Sequence, residues 1–183
     1  MASEKFFGKY RGMVLAGADP EGRGRILVQV PDVLGLGVSS WAMPSFPFAG
    51  LQMGIYVVPP PNTGVWIEFE NGDPDYPIWT GTWWGSRLEV PLTAQTAPPV
   101  LPIVMLETLA KNGFVVSDTP LPVVPPLPMG LPAGGIILRS GTSYVRIDAT
   151  GVSIFGPKVT INGVTLVDIN AGALTVLGPG APV

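Results

Sequence analysis

Glycine and proline together fill one position in four, with 24 glycines and 22 prolines among 183 residues. Both are costly inside helices and common at turns and strand ends, so the chain is expected to be all-β. There is no Cys and no His. That removes thiolate and imidazole zinc sites, disulfides, Ser-His-Asp triads and Cys-His pairs. No catalytic residue, metal site or cofactor is expected.

Thirteen acids against ten bases give a net charge of −3, the wrong sign for affinity built on neutralising phosphates, so no nucleic acid is expected as a partner. Hydrophobic residues make up 46% and charged residues only 13%, and the mean hydropathy is +0.41. So little charge cannot cover a lone soluble domain, and the excess must be covered by other copies of the chain or by a partner. The longest candidate span, Val100 to Leu106, is interrupted by Pro102 and falls far short of the ~20 residues a helix needs to cross a bilayer. The amino-terminal residues from Met1 to Tyr10 lack the apolar core of a secretory signal, so synthesis in the cytoplasm without a signal peptide is expected.

Three regions follow from the texture. Residues 1–90 carry nine acids and six bases, whereas residues 91–183 carry four of each. Strand signals fill the first region at 10–15, 24–30, 54–58, 64–70 and 78–83, with turns at Asp19-Pro20-Glu21-Gly22 and Asn71-Gly72-Asp73-Pro74; five strands in ninety residues suit a small barrel. Residues 91–132 hold ten prolines and read as a stiff connector. Its one interruption, Ile103 to Lys111, is expected as a short helix from the spacing of Ile103, Leu106 and Ala110 between Pro102 and Asn112-Gly113.

From 133 to 183 short apolar and polar residues alternate between glycines. Val145 and Ile147 share a face, as do Val152 and Ile154, Val159 and Ile161, Val164 and Leu166, then Leu174 and Val176, a loose repeat of the solenoid or β-helix kind. With Ile136 and Leu138 these are about twelve inward side chains, too few to offset the ordering of about 48 residues in a single copy. Without disulfides or metal, such a segment is expected to share its core among several chains.

The run from Asp19 through Pro20, Gly24 and Arg25 to Pro31, then Trp41 to Pro44, then Gly64 through Phe69 to Gly72-Asp73, and finally Pro77 to Gly81, resembles the oligonucleotide/oligosaccharide-binding (OB) domain of the phage baseplate assembly protein V family. The spike of type VI secretion is related to this family. The resemblance covers about half the chain and implies a homotrimeric central spike of a contractile tail or injection system. In that picture 1–90 is an OB-fold collar, 91–132 the connector, and 133–183 one chain of a triple-stranded intertwined β-helix, a needle whose trimer core is the apolar set just named. It further implies a baseplate hub protein as partner, a separate tip protein at the carboxy-terminal end, transient contact with a target cell envelope, and residence in a virion tail baseplate or assembled injection particle. A lysozyme-like insertion has no room in the connector, and the iron-binding His motif of some spikes is missing. An OB-type module for single-stranded nucleic acid or glycan is the alternative.

Four side-chain groups invite a site. Glu68, Glu70, Asp73 and Asp75 are expected as an outward strand face followed by a turn. Trp66, Trp79, Trp83 and Trp84 form a stacking platform only if cations accompany them, and are expected instead to pack barrel copies or a hub. Arg11, Arg23 and Arg25 either grip an acidic surface or solvate turns. Asp168 falls on the inward parity of Val164 and Leu166, which predicts a bulge.

Overall fold

A computed structural model gives the fold, and residues 4–98, 102–123 and 130–162 are described. The chain divides into two compact units, Met1–Val90 and Pro91–Val183. Val164, Leu166, Asp168, Leu174 and Val176 lie outside the described residues.

In the first unit, β1 (Tyr10–Ala16), β2 (Leu27–Gln29), α1 (Pro31–Leu34), β3 (Met43–Pro44), β4 (Ala49–Gly50), β5 (Met53–Gly54), β6 (Gly64–Phe69) and β7 (Pro77–Trp83) follow in order. Five of these strands make one sheet in the order β2-β1-β6-β7-β3. Ile26 and Ala42 exchange backbone hydrogen bonds of 3.2 and 2.8 Å, which join the start of β2 to the start of β3 and curl the sheet closed. Period-2 alternation fills the interior. Val14, Ile26, Val28, Val30, Ala42, Val65 and Ile67 are fully buried, with Phe69 and Trp79 nearly so. Strand β6 alternates strictly, Val65, Ile67 and Phe69 inward and Gly64, Trp66 and Glu68 toward solvent.

The second unit corrects the helix expected at Ile103–Lys111. After α2 (Leu92–Thr96), Ile103–Glu107 is a strand, β8, and it pairs antiparallel with β9 (Asn112–Ser117) through a turn in which Lys111 takes φ 64°. Strands β10 (Gly135–Ser140), β11 (Ser143–Asp148) and β12 (Gly151–Phe155) continue as an antiparallel meander, β12-β11-β10-β9-β8. The Pro-rich region therefore supplies two of the five strands. Among the described residues of this unit, strands adjacent in sequence pair antiparallel as a meander. Val159 and Ile161 follow β12 as exposed residues outside any strand.

Candidate functional site

Alternation along the five strands of the second unit places its side chains on two faces of opposite character. On one face Val115, Ile137 and Tyr144 pack with Leu121, Leu131, Ala97, Ile103 and Met105 of the same chain. Buried among them are charges. Glu107 and Arg139, with side chains 4% and 1% exposed, are paired, and Glu107 also accepts from Lys111 Nζ at 2.7 Å. Arg146 Nε lies 3.0 Å from Asp148 Oδ2, and both side chains are nearly covered. The Thr150 hydroxyl and backbone N–H donate to Asp148 and hold its carboxyl below the usual carboxylate range.

The other face is apolar and uncovered. Register aligns Val152, Ile147, Ile136, Val116 and Val104 in one row across the sheet, and Ile154, Val145, Leu138, Phe114 and Leu106 in the next. Seven of these ten are exposed, and among the described residues nothing covers them: Val152 is 66% exposed, Val104 59% and Ile154 57%. Val145, Ile147, Val152 and Ile154 lie together in these rows. The four contributed by β8 and β9 were missed, although Phe114 and Val116 alternate in sequence with Val115 and Ser117.

The Asp19–Arg25 turn of the barrel is a structural lock. Asp19 Oδ1 accepts from Arg25 Nε and Nη2 at 3.0 and 2.6 Å, and its carboxylate also accepts the backbone N–H groups of Glu21, Arg23 and Arg25. The Arg25 guanidinium beside it, with these N–H donors, holds Asp19 far below the usual carboxylate range. Arg25 in turn lies 5.5 Å from the ring of Trp41. Pro20 sits in the same turn, Gly24 takes φ 79°, and Trp79 donates to its carbonyl at 3.1 Å. Pro44 lies in β3 beside Trp79, Pro77 and Phe69 face each other across β6 and β7, and Gly72 and Asp73 turn the chain between them.

On the outer barrel face, Trp83 lies flat across Gly64, where an added Cβ would fall 2.6 Å from the ring, and it donates to the Val65 carbonyl at 3.2 Å. Trp66 packs beside Trp83, opposite Gly81, and the Arg11 guanidinium stands 5.2 Å from one ring and 5.7 Å from the other. Trp79 is core, and Trp84 is exposed. Arg23 and Arg25 are paired with Asp19 and Glu21, so two of the three arginines serve the turn. Glu68 pairs with Lys9 and Asp73 with Lys5. Among the described residues no group of three or more acids is placed to hold a metal ion, and no helix is long and apolar enough to cross a membrane.

Residues 10–84 match the family model of the type VI secretion system/phage-baseplate injector OB domain. The first unit carries an injector OB domain. No curated protein matches the chain. The matched residues run from the first residue of β1 to just past β7, so they take in the Asp19–Arg25 lock, the two-stranded β4-β5 pair, and the Trp66–Trp83 surface. The motif residues named from sequence, Asp19 to Gly81, all lie within the matched residues 10–84.

Proposed function

We propose that the chain is a structural, non-enzymatic central spike of a contractile tail baseplate or injection system, acting as a homotrimer. The injector OB domain supplies the collar, which seats on a hub protein, and the second unit supplies one wall of the needle. The observation that carries this reading is the inverted sheet of the second unit, which keeps Glu107, Arg139, Arg146 and Asp148 inside the chain and turns two five-residue apolar rows outward. A face of that kind is covered in the working molecule. Three copies with their apolar rows facing a shared axis cover it with no other partner, and the closed assembly transmits axial force through a dry core. Residence in a tail or injection particle, a tip protein beyond the carboxy-terminal end and transient contact with a target envelope belong to the same reading.

Native mass measurement of the full chain tests it. The expected result is three times 19.2 kDa; a stable monomer overturns it.

A further inference from the structure

Between Asp32 and Glu68 the chain has no charged residue. Within this stretch β4 and β5 form a two-stranded sheet of their own, separate from the barrel sheet. They pair Ala49 with Gly54 and Gly50 with Met53 across a Leu51-Gln52 turn. Every residue from 47 to 57 is exposed, Leu51 at the tip by 91%. An isolated hairpin is marginal in water, and one that shows Phe48, Leu51, Met53, Ile55, Tyr56 and Val57 to solvent has no reason to stand away from its barrel on its own account.

Its root, however, is held. Phe46 stands edge-on to Trp79 at 5.4 Å and meets Tyr56 at 5.9 Å. An added Cβ at Gly24 would come within 3.1 Å of Phe46 and 3.4 Å of Tyr56. Val58 then returns to the core and Pro59 is buried. The hairpin is therefore an arm with a fixed direction, and the ordering cost of placing it against a neighbour is already met.

We propose that this arm, residues 47–57, is a clasp that lies on the injector OB domain of a second copy of the chain. The proposal rests on the reading that the protein works as an oligomer. The six large side chains leave roughly 700 Å² accessible, close to the ~800 Å² per partner of a standard stable interface. The lack of any charge matches the composition of obligate contacts between copies, where charged residues are depleted, and not that of a surface that also lives free. The same barrel exposes Leu36 and Val38 away from any core, an apolar landing place for an incoming arm. Arm and landing place are different surfaces, so the contact is head-to-tail, the kind that a three-fold rotation closes into a ring.

The cysteine-free chain makes the test direct. In the full-length protein, Leu51→Cys is expected to react with a maleimide at least ~10-fold more slowly in the native oligomer than in denaturant. With p-benzoylphenylalanine in place of Leu51, ultraviolet light is expected to join two copies of the chain. An oligomer whose position 51 reacts as fast as in denaturant and joins nothing overturns the clasp and leaves the oligomer standing. A monomer overturns both readings, whatever the labelling rate.

Discussion

Leu138 lies near the middle of the outward rows, on β10 with Phe114 and Val145 as cross-strand neighbours, and about half of it, 52%, remains accessible in one copy. Full burial of a leucine is worth about 1.5–3 kcal/mol, so covering the accessible half contributes about 1 kcal/mol per copy, or about 3 kcal/mol in a trimer. Leu138→Ala removes that share, about two decades in a dissociation constant that scales as the square of concentration, and is expected to shift the association midpoint by roughly one decade in concentration at 1.4 kcal/mol per decade. Leu138→Glu adds several kcal/mol for each desolvated carboxylate and brings three of them together, so assembly is lost at any workable concentration. On a face meant for solvent the same substitution stays within about 0.5 kcal/mol of neutral. Light scattering coupled to size exclusion reads the mass, and a thermal melt reads the injector OB domain, whose core Leu138 does not enter. An Leu138→Glu protein with the mass and melting profile of the parent refutes the reasoning outright.

Two further outcomes follow from the buried charges. Asp19 is held at a depressed pKa by Arg25, so its contribution to stability is fully present above the unfolded-state value, about pH 4, and is lost as the pH falls through the lower folded value. Asp19→Asn is therefore expected to melt lower at neutral pH and to show a flatter decline in Tm between pH 4 and pH 2 than the parent; parallel Tm profiles argue against the lock. Glu107→Gln leaves Arg139 charged and buried, which costs about 3–5 kcal/mol, whereas replacing both by leucine recovers most of it. Urea titration of the two variants checks this, and equal losses count against the pair being desolvated.

The barrel was legible because each of its strands has one wet face. Val65, Ile67 and Phe69 against Trp66 and Glu68, or Ile26, Val28 and Val30 against Arg25 and Gln29, write the period of a half-buried strand directly. Turn chemistry at Asp19-Pro20-Glu21-Gly22 and Asn71-Gly72-Asp73-Pro74 marked its corners. Strand β8 was not legible for the opposite reason: Ile103-Val104-Met105-Leu106 is apolar on both faces, so its alternation vanishes, and the remaining spacing to Ala110 imitates a helix. Such a run is what a strand covered on two sides looks like. The expected strand at 54–58 shrinks to Met53–Gly54 because that stretch leaves the barrel as the arm, a matter of where a hairpin points. The pairing of Asp19 with Arg25 lies six residues apart and carries no periodic trace, and the burial of Arg139 and Arg146 depends on which face of the sheet the chain itself covers.

The outward rows of the second unit have a genetic corollary. If three copies share them, a single faulty subunit spoils the dry seam for its two sound companions. In a cell making normal protein and Leu138→Ala protein, which still assembles, in equal amounts, random association leaves only about one in eight assemblies with three normal members. A lesion on this surface would therefore behave as dominant, whereas one confined to the Asp19 turn would remain the private misfortune of the polypeptide that bears it.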